Sequence, residues 1–298
     1  MASTAHVGNA LADLIIPLVK GDGPSPSRLD RVSLLCLGRQ QVRTPLMYDP
    51  CLIIIAQGRK VGYLGDREIH YNPGHYLVQT LPMPFECETY GSPEAPLLGM
   101  SVKLDPALLS EMVTAMGEGY PPSSTAPLPM ASVAMNEGMQ DAVMRLAHTL
   151  HDAVACSAMG DARIRDVVFE ALKGEQGPAL RALVQGHGNY SRIVQVLSQL
   201  HTHFAEDFSV ERLAQQANMS VSTFHQHFKQ ITRASPAQYL KRLRLIKAQQ
   251  LLLQDSHNVN QAALAVGYRS VPQFSRDYKR YFGESPLQHR RQEQALRA

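Results

Sequence analysis

Cysteine is scarce in these 298 residues, and the four present, Cys36, Cys51, Cys87 and Cys156, lie far apart with no C-x-x-C pair. That spacing argues against a disulfide framework or a cysteine zinc site and suits reduced thiols in a cytoplasm. No stretch approaches the roughly 18 apolar residues that a membrane helix needs. The apolar tract Leu11 to Val19 is interrupted by Asp13 and Pro17 and lacks a basic run before it. It therefore reads as an amphipathic surface segment rather than a signal peptide. Charged residues make up only 18% of the chain, too few for a disordered polyelectrolyte, while 44% are apolar and can fill buried cores. The length suits two domains better than one.

Acidic residues are in short supply in the last third. Ser191 to Ala298 holds 15 Lys+Arg against 7 Asp+Glu, a balance of +8, whereas Met1 to Tyr190 carries −5. A basic module joined to an acidic one points to a polyanionic partner for the first. A solvated basic surface would show the same charge, so helix geometry has to decide.

What is present changes character along the chain. Between Arg31 and Lys103, runs such as Val32 to Leu37, Cys51 to Ala56, Lys60 to Leu64, Tyr76 to Val78 and Phe85 to Thr89 alternate with turn signals at Gln57-Gly58, Gly65-Asp66 and Asn72-Pro73-Gly74. About seven short strands in some seventy residues predict a compact barrel or sandwich. After Asp105-Pro106 the period becomes helical, with Leu108, Leu109, Met112 and Met116 on one face. A loop is expected from Gly117 to Pro129, then helices around Met139–Ala155 and Ala162–Leu172, another near Leu180, and a hinge at Gln185 to Asn189. The stripes Val143, Leu146, Leu150, Val154 and Val167, Val168, Leu172 fit either a dimer interface or a cover for the strands.

The remainder reads as two helix-turn-helix units. Ser209 caps a short helix with Val210, Leu213, Ala214 and Ala217 on one face; Asn218-Met219 turns; Ser220 caps a second helix with Val221, Phe224, Phe228 and Ile231 in one stripe. At 100° per residue, Ser222, Gln226 and Lys229 point away from that stripe, with Thr223 and His225 on its flanks. The design repeats: Val259 to Val266, a turn at Gly267-Tyr268-Arg269, then Ser270 capping a helix with Val271, Phe274, Tyr278, Tyr281 and Phe282 inward. Arg276 lies nearly opposite, with Pro272, Gln273, Lys279 and Arg280 around it. Such outward donors suit base edges and phosphates, arginine above all. Ser235-Pro236 opens a helix to about Leu253 that is apolar on two sides, as a helix wedged between two bodies must be. Its length of about 27 Å spaces two reading helices near one turn of B-DNA, about 34 Å. The pattern predicts contact with two successive major grooves.

These residues resemble the AraC/XylS family of bacterial transcription regulators. Met219 to Lys229 is similar to that family's first recognition segment, and Val266-Gly267-Tyr268 with Gln273 to Pro286 to its second; the likeness runs from Ser191 to about Arg291. The resemblance implies DNA contacts at Ser222, His225, Gln226, Val271, Gln273 and Arg276, with Val271 at the apolar edge as a thymine-methyl contact. Pro272 departs from a polar reader. Less sharply, Tyr48-Asp49-Pro50, Ala56 to Lys60, Tyr71 to Gly74, Leu104-Asp105-Pro106, Lys173 to Gly177 and Leu180-Arg181 resemble a subfamily with a cupin-like sensor. The expected protein is thus multidomain α+β. Residues 1–185 form a cupin-like effector-sensing and dimerisation domain, with a barrel at about 30–105 and helices at 106–185. Residues 186–298 form an all-α DNA-binding domain with a double helix-turn-helix. The resemblance further implies a non-enzymatic regulator, an activator and homodimer in the bacterial cytoplasm and nucleoid, responsive to a small-molecule or stress signal and contacting RNA polymerase. No effector residues, cofactor or metal are assigned from the sequence.

Two alternatives compete. A metal-dependent cupin enzyme with an accessory DNA-binding domain needs imidazoles and a carboxylate on one ion. Here His70 and His75 are five apart, and only Glu68 alternates with His70 on one strand face. His201 and His203, like His225 and His227, diverge by about 200° on a helix and cannot chelate together. A cysteine-based aldehyde or redox sensor would need Cys51 or Cys87 as an exposed thiolate of low pKa.

Overall fold

The computed structural model describes residues 10–117, 127–185, 188–253 and 257–297, the last six by backbone alone. Two compact units result. The first comprises Met1–Arg43, Tyr48–Met83 and Cys87–His187; the second comprises Thr44–Met47, Pro84–Glu86 and Gly188–Ala298.

Ten strands run in order β1 (Gly23–Pro26), β2 (Val32–Leu37), β3 (Gln41–Met47), β4 (Cys51–Gln57), β5 (Arg59–Leu64), β6 (Arg67–Tyr71), β7 (His75–Gln79), β8 (Pro84–Tyr90), β9 (Leu97–Lys103) and β10 (Met130–Ala134), all in the first unit except Thr44–Met47 of β3 and Pro84–Glu86 of β8. They form a six-stranded sheet, β1-β2-β9-β4-β7-β10, and a four-stranded one, β3-β8-β5-β6. The β-branched run of β4 takes the central place between β9 and β7 and is buried on both faces. Gly65, with φ +64°, makes the two-residue turn that pairs Leu64 with Arg67. The β-rich half predicted from alternation is present, as two open sheets rather than one continuous ladder. The edge strands β1 and β10 lie outside residues 30–105 and were not expected from the turn signals.

One face of the larger sheet, with Leu52, Ile54, Val78, Met100 and Val102, shares a core with α3 (Glu137–Thr149) and α4 (Ala153–Lys173). α1 (residues 10–15) adds Leu11, Ala12 and Ile15, so the amphipathic N-terminal tract is packed down along one side while Ile16 stays exposed. Before these helices comes α2 (Pro106–Met116), capped by Asp105, and after them α5 (Gly177–Ala182). The helix expected over Met139–Ala155 ends instead at Thr149, because the Asp152 carboxylate accepts from Val154 and Ala155 N–H at 2.7 and 2.9 Å and starts α4 there. Val143, Leu146, Leu150, Val167, Val168 and Leu172 all enter this core, so those stripes cover the sheet instead of forming a dimer interface; Val154 is the exception, exposed at 76%. Of the expected loop Gly117 to Pro129, residues 118–126 lie outside the described residues, as do 186–187 of the expected hinge.

A polar string runs through the first unit's interior. Lys60, only 4% exposed, donates to the Tyr48 hydroxyl at 3.0 Å; Tyr48 meets the Tyr71 hydroxyl at 3.4 Å; and Tyr71 meets the Cys87 thiol at 3.2 Å. Nothing in the strand periodicity marked Lys60 as buried.

Apart from those two segments of β3 and β8, the second unit is helical: α6 (Gly188–Thr202), α7 (Val210–Gln216), α8 (Val221–Thr232), α9 (Pro236–Leu253), α10 (Val259–Ala265), α11 (Val271–Phe282) and α12 (Pro286–Arg297). Short polar side chains set the starts. Ser235 and Gln238 exchange side-chain and backbone bonds, as do Asn258 with Gln261 and Ser285 with Gln288. Proline opens α9 and α12, where the missing N–H costs little.

Candidate nucleic-acid interface

The first helix-turn-helix is α7 and α8. Ser209 caps α7 through the Arg212 N–H at 3.2 Å, and Asn218, at φ +50°, turns the chain. Ser220 then caps α8, accepting from Thr223 N–H at 3.2 Å. Phe224 and Phe228 are fully buried with ring centroids 5.3 Å apart, and Phe228 meets Tyr239 of α9 edge-on at 5.6 Å. This aromatic stack fixes which way α8 faces. Ser222, His225, Gln226 and Lys229 are consequently exposed on one side, while Thr223 is half-buried and its hydroxyl lies 2.8 Å from that of Ser220. Replacing Ser220 with alanine should cost about 1 kcal/mol by losing the cap; urea unfolding should show a lower midpoint with an unchanged slope.

The second helix-turn-helix, α10 and α11, reproduces the arrangement. Gly267 takes φ +83° in the turn, and a Cβ there would stand 2.3 Å from the Ala205 carbonyl oxygen, so only glycine fits. Ser270 caps α11, and Gly283, at φ +85°, ends it. Phe274 and Tyr278 are fully buried in a cluster with Leu245, Ala248, Leu252, Ala262, Ala263 and Val266. Gln273, Arg276, Lys279 and Arg280 are exposed. Val271 differs: it is half-buried against the cluster, with only an edge available for an apolar contact.

α9 joins the halves as its two apolar sides predict, Leu243 and Ile246 on one and Leu245, Ala248 and Leu252 on the other, all buried. Three features of α9 escaped the sequence reading. Tyr239 is buried, with its hydroxyl 2.7 Å from His201 Nε2, and burial pushes that hydroxyl far above its usual range. Arg244 donates to the carbonyls of Phe204 and Glu206 at 2.7 and 2.8 Å and, more weakly, to that of Gly267 at 3.4 Å; burial lowers its pKa. Lys241 pairs with Asp277 of α11 at 2.6 Å. A lone inward Asp in a recognition helix was the one available signal.

The alternatives find little geometry. His201 and His203 take separate partners, Tyr239 and Glu206. Glu68 and His70 approach to 3.6 Å on an exposed strand face. Among the described residues, no three His, Cys, Asp or Glu side chains converge as a metal site would require. Cys51 and Cys87 are both buried, and burial, reinforced by Asp49, pushes the Cys51 thiol up to about 12. That is the reverse of an exposed, easily ionised thiolate. No helix among the described residues is long and apolar enough to cross a membrane.

Residues 28–179 match the family described as AraC-type transcriptional regulator N-terminus, more than half of the chain, and residues 213–292 match the helix-turn-helix domain family. The chain belongs to the AraC-type transcriptional regulators. Over 108 residues it is 37% identical to the HTH-type transcriptional activator RhaS of Salmonella arizonae, covering 36% of this chain and 39% of RhaS. The chain thus spans about two fifths of the curated relatives it matches. The DNA-binding domain of AdpA, solved with a target DNA, is 33% identical over 36% of this AraC-type chain and 96% of its own, at a TM-score of 0.35. ToxT of Vibrio cholerae, solved with an unsaturated fatty acid bound, covers 87% of this chain and 93% of its own at 9% identity and a TM-score of 0.57. That last likeness is one of fold across both halves of an AraC-type regulator.

Proposed function

We propose that this AraC-type regulator binds duplex DNA sequence-specifically, α8 and α11 entering two successive major grooves, and adjusts transcription to a small-molecule or stress signal received by its N-terminal domain. The carrying observation is the pair of exposed polar faces, Ser222/His225/Gln226/Lys229 and Gln273/Arg276/Lys279/Arg280, on two capped helices anchored to one bridging helix. Thr223 and Val271 sit at the margins, the first tied into the cap and the second giving a methyl contact. Residues 186–298 form the DNA-binding domain in this reading, and residues 1–185 the sensing and dimerising one. The bacterial cytoplasm, association with the nucleoid, a homodimer and a contact with RNA polymerase belong to the same proposal, as does the absence of enzymatic activity. The curated relatives matched by the helix-turn-helix half are named activators, which supports activation.

The sensing half of the reading draws support from a cavity of about 360 Å³ lined by Tyr48, Cys51, Ile53 and Ser101, a volume in the range of small-ligand sites. Tyr48 is also the outer member of the buried string through Lys60, Tyr71 and Cys87. The fatty acid bound to ToxT, a protein of similar fold, is in keeping with it.

The DNA-binding reading is tested by substituting Arg276. Against a duplex selected by the wild-type chain, Arg276→Ala should lose about 1–3 kcal/mol and relax selectivity at one base position. Unchanged affinity in an electrophoretic shift would remove Arg276 from the contact set.

A further inference from the structure

The two halves of the helical unit face each other across an open cleft. A cleft of about 320 Å³, open to solvent, lies between Leu200, Phe208 and Leu213 of the first half and Tyr268, Gln273 and Asp277 of the second, with Leu240, Lys241 and Arg244 of α9 beside it. Close-packed interiors hold one geometry, whereas side chains that face an open cleft lack packed neighbours on one side. Along this cleft the angle between the halves is held by polar bonds, in addition to the buried faces of α9. Arg244 ties α9 to the carbonyls of Phe204 and Glu206, between α6 and α7, and more weakly to that of Gly267 in the second half. Arg269 of the second turn pairs with Asp207, and the tie on the recognition helix itself is Asp277, which accepts from Lys241 of α9 at 2.6 Å and from the Tyr268 hydroxyl at 3.4 Å.

Asp277 and Lys60 are the charged side chains among the described residues that are buried. Burying a carboxylate is costly even when it is paired, and an apolar residue of similar size would serve stability as well or better. What a directed ion pair adds is orientation. Asp277 adjoins Arg276 and lies four residues after Gln273, so any movement of its anchor is passed to the outward face of α11 as a rigid body. We propose that Asp277 is a positioning residue which, held by Lys241 and Tyr268, sets the interval in base pairs at which α11 engages DNA relative to α8, and leaves base identity to the exposed face. This presupposes that both helices engage the duplex.

The test is selection from a random duplex library by the full chain, followed by affinity measurements on the selected duplex with the interval between its two boxes shortened or lengthened by one base pair. Wild type should discriminate against the altered intervals by about tenfold, the worth of one hydrogen bond to a charged group. Asp277→Asn and Lys241→Gln should each reduce that discrimination to about threefold or less while selecting the same box sequences, and the double variant should do no more than either alone. Equal loss of affinity at every interval would make the pair a stabiliser of the fold and overturn the proposal. A changed base preference would make Asp277 a reader and overturn it equally. Should Asp277→Asn fail to fold, Lys241→Gln carries the comparison, because the Lys241 side chain is 43% exposed. Selection of no duplex by wild type overturns the DNA-binding reading itself, and is seen before any variant is made.

Discussion

Phe274→Ala is expected to destabilise the helical unit by about 3–5 kcal/mol, the usual cost of removing a buried aromatic ring. Phe274 has no exposed surface and touches two further rings, with centroids 5.3 Å from Tyr268 and 5.5 Å from Tyr278. A loss of that size is a large fraction of the roughly 5–15 kcal/mol that holds an ordinary domain together. DNA binding should vanish with it, since Gln273 and Arg276 ride on the same helix. Urea unfolding followed by helical circular dichroism measures the loss. Arg276→Ala is the control: exposed on the opposite face, it should move the midpoint by less than about 0.5 kcal/mol while still weakening binding. A Phe274→Ala protein as stable as wild type would show that α11 is not held by this core.

The second large effect is electrostatic. Between about 50 and 200 mM salt, affinity for the selected duplex should fall about a thousandfold, the change expected when some six phosphates are neutralised. Arg212, Lys229, Arg276, Lys279 and Arg280 are exposed on or beside the two reading helices, within a segment whose balance is +8. Equilibrium titrations at four or five salt concentrations give the slope of log affinity against log salt. A nearly flat plot would mean that the cations face solvent, the alternative that charge alone left open.

Legibility in the sequence followed local physics. The caps Ser209, Ser220 and Ser270, the turn glycine Gly267, and the apolar stripes of α8, α9 and α11 were readable because each acts within a few residues of itself, Val221 excepted, since at the first turn of α8 it stays exposed. The exposed faces followed from helical period alone. Val271 and Thr223 came out less cleanly, since a residue at the margin of a stripe is assigned by what its neighbours leave open, and that is a tertiary property. The helices after residue 136 show in the periodicity, but whether their apolar stripes cover the strands or face a partner is settled by Leu52, Ile54 and Val78 lying opposite them.

By itself the chain's order of residues determined an alternating, β-rich first half, an all-helical basic second half, and two outward polar ridges on capped helices. Periodicity, capping and charge are local or additive quantities, so they survive without coordinates. Tertiary structure alone decided that the strands divide into two sheets, that Lys60 is buried against Tyr48, and that Lys241 and Asp277 pair beside an open cleft. Each depends on side chains separated by 12 or more residues arriving at one point. No windowed pattern contains that information, because the burial and pairing of such groups are settled by the packing of whole elements.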